Sequence, residues 1–303
     1  SDVYTEPFAD SSQLPTLLLN SKAKNYIKVA LGGDGGDELF GGYNRYYLLD
    51  KYFFKIQKIP LYLRNKISRI MLGINSRHVD FFFNILNKVS SGLIDYKNFG
   101  YKIQKIAFSI IQKNDLDLYD NLLSSTPEID KSFIKFNFDI KRNKLNFIKD
   151  NSFIESMMIT DLNFYLPDDI LCKVDRASMW NGLEVRSPFL DRNLVEFCLN
   201  IPTNIKFRNN ENKWILRSII KKYFSTYNNK SKMGFSSPID SWLRFEIKNL
   251  FISNLDKKFI DSQGIFNYEF VLQKWNEHLN GKRNWGKYLW SFLIFQKWYK
   301  KNY

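Results

Sequence analysis

Leu31-Gly32-Gly33-Asp34-Gly35-Gly36-Asp37-Glu38-Leu39-Phe40-Gly41-Gly42-Tyr43 places six glycines between positions 32 and 42. Such a backbone must bend sharply or lie against something closely. The run before it, Ile27-Lys28-Val29-Ala30-Leu31, is short and β-rich and stops abruptly at glycine, which predicts a buried strand feeding a loop. Gln13 to Asn25 has helical character, with Asp10-Ser11-Ser12 as capping residues ahead of it. Helix, strand and glycine loop in that order belong to a parallel α/β sheet, whose ligands sit at the carboxyl ends of its strands.

The loop is not a phosphate-cradling Walker loop, because no Gly-Lys-Ser/Thr follows. Its acids and glycines do not have EF-hand spacing. Gly32 to Phe40 fits one nine-residue calcium repeat of β-helices, but that architecture needs stacked copies and there is one. Carboxylates offered where a polyanion would bind make sense with a cation between them, and Mg²⁺ binds in this way. The plainer alternative is a turn whose acids cap the helix entering at Leu39.

Elsewhere the chain sets bounds. Its 303 residues suffice for one or two domains, and 44% hydrophobic with 25% charged residues marks a globular protein. No apolar run has the length of a membrane span, and the first residues lack signal-peptide character, so a cytoplasmic protein without a membrane partner is expected. Cys172 and Cys198 stand alone, and His78 and His278 are far apart, which argues against a zinc site. The net charge of +14 comes from Lys and Arg scattered among acids, a pattern of a solvated surface more than of a nucleic-acid groove.

From about Tyr46 to Asp150 the sequence turns to aromatic, Lys-rich amphipathic segments such as Tyr52–Ile70 and Phe133–Ile148, and Pro60 separates two helices. From Ser152 helices continue, interrupted by chemistry-bearing loops at Leu166–Asp169, Glu184–Asp191 and Lys230–Phe235. Lys287 to Lys301 reads as a packed helix carrying Trp290, Phe295 and Trp298.

Asp34 to Tyr43 resembles the GDGGDELFGGY signature of asparagine synthetases. Glu6 to Ser12 is similar to that family's EPFADSS segment, and Leu166 to Met179, Glu184 to Asp191, Lys232 to Phe235 and the Trp-rich tail follow in family order. The resemblance implies an α/β remnant of a nucleotide-binding parallel sheet of the ATP pyrophosphatase (adenine nucleotide α-hydrolase-like) kind, followed by a predominantly α-helical region. The expected segments are 1–45 with the loop, 46–150 as a helical insert and 151–303 with the remaining site loops. It also implies the chemistry: ATP adenylates the side-chain carboxylate of aspartate, and ammonia from glutamine then gives asparagine, AMP and pyrophosphate.

On this resemblance Asp37 is the Mg²⁺ ligand and Asp34 lies near the acyl-adenylate. Leu31, Gly32 and Gly33 line ATP with backbone, and Lys232 faces the phosphates. Asp169, Lys173, Asp175, Glu184 and Arg186 form a second rank, open to reading as an internal ion-pair network, and Asp191 caps the helix from Arg192. Gly32 stands where the family has Ser, and Lys230 where it has Arg. The family's SGGxDS loop is absent, and so is the N-terminal cysteine of its glutaminase half. A truncated synthetase domain is therefore expected, inactive alone, with those segments upstream or on another chain, and a homodimer is among the assemblies it allows. An amidotransferase acting on another carboxylate, and a split-gene fragment that only folds or pairs with a partner, are the alternatives.

Overall fold

The strand expected from Ile27–Leu31 forms as β1 (Val29–Leu31), preceded by α1 (Gln13–Ala23). The structure, a computed structural model, describes residues 2–75, 78–79, 99–124, 133–135, 152–208, 211–224 and 237–303. β1 pairs in parallel with β2 (Glu184–Arg186), in the register Val29 to Glu184 and Leu31 to Arg186. The expectation of a buried strand fails: Val29 is 42% and Leu31 75% exposed. An apolar run says that a strand forms, not how many neighbours cover it, and β1 has one partner among the described residues.

The chain divides into two compact units that interleave along the sequence, one of Ser1–Ser11, Ile56–Lys144 and Pro238–Tyr303, the other of Ser12–Lys55 and Leu145–Ser237. The second holds both strands, α2 (Gly36–Phe40), and a continuous helical run from Phe153 to Trp180. Residues Asp161–Leu171 of that run are π-helical. The loop expected at Leu166–Asp169 is thus helix, and Pro167, which has no N–H to offer, is accommodated inside the wider turn. The run starts on a complete capping box, Ser152 and Glu155 exchanging bonds. Asp191 caps the helix Arg192–Leu199 as expected, accepting from Leu194 N–H at 3.1 Å.

The first unit is helical. Pro60 does separate α3 (Asn44–Gln57), most of which belongs to the second unit, from α4 (Leu61–Gly73). α4 packs on the helix Phe99–Ile110, and its buried Arg64 donates to the carbonyls of Ile110 and Gln112, groups that a helix end leaves without partners. The tail helix runs Gly286–Asn302 with Trp290 buried, and Trp298 Nε1 donates to Thr5 O at 2.8 Å. Phe251 stacks on Trp275 at 4.1 Å, each buried ring contributing roughly 1.5–3 kcal/mol. Of Phe133–Ile148, only residues 133–135 are described; Phe133 packs against Phe266 and Tyr288. No described helix is long and apolar enough to cross a membrane.

His278 proves to be a core histidine, fully buried. Trp285 N–H donates to its Nδ1 at 3.2 Å, so Nε2 carries the proton and donates to Asp240 O at 3.1 Å. Burial, with Arg244 nearby, lowers its pKa from 6.5 to about 4. Between those values the unfolded chain binds a proton that the folded chain refuses. The stability present above pH 6.5 should therefore fall by up to about 3 kcal/mol as the pH drops towards 4. Urea titrations across that range should show this slope in the wild type and a flatter one, from a lower starting stability, in His278→Gln.

Candidate functional site

Parallel pairing of β1 with β2 brings two distant loops to the carboxyl ends of both strands, where α/β sheets bind their ligands. The ladder runs one bond further, Gly32 N–H donating to Arg186 O at 2.7 Å. Ser187 Oγ then donates to Asp34 Oδ2 at 3.3 Å, across 153 positions of sequence. A Cβ at position 32 would come within 2.7 Å of that same carboxylate oxygen. Glycine in place of the family's Ser thus leaves room for Asp34 to fold back along the strand end.

The glycines after Asp34 serve packing. Gly35 is left-handed (φ 86°) at the start of α2, and a Cβ there would meet Leu190 at 2.4 Å. Gly41 is left-handed (φ 67°) at its end, with the Phe207 ring 2.3 Å from any added Cβ. At Gly42 a Cβ would lie 1.8 Å from Asp37 Oδ1 and 2.2 Å from Lys213 Cε. Gly33 differs: nothing in the protein lies within 4 Å of a Cβ built there, and it is exposed.

Two acids of the loop have opposite surroundings. Glu38 is buried and accepts from Tyr43 O–H at 2.7 Å; burial pushes its pKa up, and burial beside Glu38 pushes the Tyr43 phenol up as well. Glu38 therefore belongs to the packing under the loop. Asp37 is about a quarter exposed and pairs with Lys213 Nζ at 3.0 Å. Below them Asp161, fully buried, takes bonds from Arg45 and Tyr46, while Arg45 lies over the Tyr43 ring at 3.9 Å.

Nothing in the sequence marks Lys213. It precedes an amphipathic helix (Trp214–Tyr223) and is one of 45 cations. The structure singles it out by backbone, as the one non-glycine at positive φ among the described residues (φ 55°), a conformation that costs roughly 1–2 kcal/mol. Ser187 is likewise invisible as an individual inside a string that reads as a motif.

Of the residues that the sequence points to, Leu31 stands beside Arg186 at the carboxyl end of the ladder, and Gly32, Gly33 and Asp34 follow directly; Glu184 lies at the other end of β2, opposite Val29, and Asp37 is on α2. Glu184 and Arg186 bond each other at 2.7 Å and both are largely exposed. The reading left open for them, an internal ion-pair network, is for this pair a surface contact on β2, because alternate residues of one strand share a face. Asp169 and Lys173 are half-buried on the π- and α-helical run, and Asp175 on the same run faces solvent. Lys230 to Phe235, with Lys232, lie outside the described residues. An apolar cavity of about 480 Å³ between the π-helical segment and Leu190, Val195 and Leu199 has no charged lining.

No group of three or more His, Cys, Asp or Glu able to hold a metal occurs among the described residues. Magnesium does not require such a group, since it needs only one or two carboxylates when phosphates complete its shell. Asp37 is a reachable carboxylate, about a quarter exposed, with the Lys213 ammonium against it.

A family model, asparagine synthase, matches residues 1–300. Asparagine synthetase 1 (glutamine-hydrolysing) of Bacillus subtilis is 26% identical over 310 residues, covering 99% of this chain and 44% of the relative. Asparagine synthetase 3 of the same organism is 26% identical over 250 residues, 78% of this chain and 33% of the relative. Amidase chry2 of Gibberella zeae is 26% identical over 226 residues, 71% and 33%. The chain thus spans less than half the length of these relatives.

The loop geometry separates packing glycines from an open one. Gly41→Ala should cost about 2–4 kcal/mol, from backbone strain and the collision with Phe207. Gly33→Ala should stay within about 0.5 kcal/mol of wild type. Thermal melts of the two variants make the comparison; equal losses would mean that the loop is packed differently.

Proposed function

Since this chain belongs to the asparagine synthase family, we propose that it is the ATP-using portion of an amide-forming carbon–nitrogen ligase that adenylates the side-chain carboxylate of aspartate and passes it to ammonia. The observation that carries the reading is the strand-end juxtaposition of Asp34 and Ser187 beside the open Gly33, with Asp37 on the short helix that follows. The open space at Gly33 is what a backbone lining a ligand requires, since a side chain there would intrude on the ligand and on nothing in the protein.

Asp37 would hold Mg²⁺, and the metal, when bound, neutralises charge on the triphosphate. Asp34, oriented by the Ser187 hydroxyl, is set to accept a proton from the incoming ammonia or to hold the substrate. Leu31, Gly32 and Gly33 offer backbone to the nucleotide. Lys232 would stabilise the departing pyrophosphate as a compact charge. Asp169, Lys173, Asp175, Glu184 and Arg186 stay outside this core of roles, the last two being engaged with each other on the surface of β2. Ammonia would come from a glutaminase domain, with an SGGxDS segment completing the phosphate cradle, in the setting of a cytoplasmic protein and with a homodimer as one assembly. The similarity to amidase chry2 favours a second reading, in which the same site acts on a different carboxyl derivative.

The test is aspartate-dependent ATP–pyrophosphate exchange, on this chain and on this chain joined to the glutaminase and SGGxDS segments of the Bacillus subtilis relative. Exchange is expected of the joined protein only; exchange without need of aspartate would reject aspartate as acceptor. In the joined protein Lys232→Ala should slow adenylation by roughly 10²–10³, with aspartate affinity little changed. Asp37→Asn should move the magnesium titration to higher concentration. An unaltered titration would reduce Asp37 to a turn residue.

A further inference from the structure

Lys213 is held against Asp37 by an arrangement that does little for stability. Its backbone is left-handed, as L side chains rarely are, and as the residue before Trp214 it makes no side-chain cap for the helix it opens. Gly42 must stay bare for the pair to form. The neighbouring Asn212 is fastened to the same loop, its Nδ2 donating to Gly42 O at 3.3 Å and to Asn44 Oδ1 at 2.7 Å. Arg217 Nε in turn donates to Asn212 O at 2.8 Å. All of this positions one ion pair whose side chains are 29% and 24% exposed. Ion pairs that solvent reaches contribute little to folding. Local strain that stability does not explain is a mark of function.

We propose that Lys213 is a resident cation that keeps free divalent metal off Asp37 and gives way to the metal that arrives with a nucleotide. The proposal rests on the reading of Asp37 as the metal carboxylate. An ammonium 3.0 Å from Oδ1 cancels the charge a metal would bind and repels the metal itself. A triphosphate reverses that balance, because its oxygens bring enough negative charge for both cations. Lys213 thereby makes metal binding conditional on nucleotide, and its ammonium, once released, is available to the phosphates.

The experiment measures binding rather than turnover. Mn²⁺ is titrated into the chain, with free metal followed by electron paramagnetic resonance, alone and with a non-hydrolysable ATP analogue. Lys213→Met should bind Mn²⁺ alone about tenfold more tightly than wild type and Mn²⁺ with nucleotide about tenfold more weakly. Lys213→Arg should retain the wild-type order, and Asp37→Asn combined with Lys213→Met should abolish the metal-only gain. Opposite signs in the two arms are something a structural role would not produce. Unchanged or weaker Mn²⁺ binding in the metal-only arm overturns the proposal. Should Lys213→Met fold poorly, Lys213→Gly, which relieves the backbone, serves in its place. A lowered melting temperature with unaltered Mn²⁺ binding in that variant would make the pair structural. A metal-only gain with no nucleotide binding in any variant would preserve the blocking role and reject the ATP reading.

Discussion

Three residues of parallel pairing join stretches of the chain that sequence keeps far apart, and the candidate site depends on them. Without the register that sets Leu31 beside Arg186, Gly32 would not bond Arg186 and Ser187 would not reach Asp34. A ladder this short supplies few bonds of its own. The helices beside it hold it in place: α1 packs on the helix Cys172–Trp180, which also contacts β2. Most of the free energy that fixes the site therefore comes from side-chain packing next to the strands, where burial gives roughly 25 cal/mol per Å².

Beneath the loop, charge is managed by burial and pairing. Asp161 is shielded entirely from water and would be costly there alone, so Arg45 and Tyr46 share its carboxylate. Glu38 takes a bond from the Tyr43 phenol, and burial favours its neutral form. The result is a loop whose inner acid belongs to the floor and whose outer acid, Asp37, faces a cation. Two adjacent carboxylates thus have different chemistry because one lies in the protein and the other at its surface.

Much of this is legible in the order of residues. The helix from Gln13, the strand before Gly32, the break at Pro60 and the cap at Asp191 all follow from local rules about periodicity, β-branching, proline and capping, although Ser12 makes no side-chain cap for the first helix. Covering is not legible, since Val29 and Leu31 have the composition of buried residues whether or not anything lies over them. The π-helical turn around Pro167 is hidden because proline ordinarily ends a helix, and a widened turn leaves no compositional mark. Lys213 stays hidden because its distinction is a backbone angle and one long-range contact, neither of which a run of Lys and Asn reveals.

The contacts at Gly35 and Gly41 have an evolutionary side. Each glycine faces one particular large side chain, Leu190 in the first case and Phe207 in the second. Positions 35 and 190, and positions 41 and 207, therefore form two linked pairs in which the volume one gives up is the volume the other fills. Drift at such a pair is gated: a larger residue in the loop is tolerated only in a lineage that has already shrunk its partner. The glycine string therefore answers to packing and backbone geometry at these two positions, whatever chemistry the loop carries.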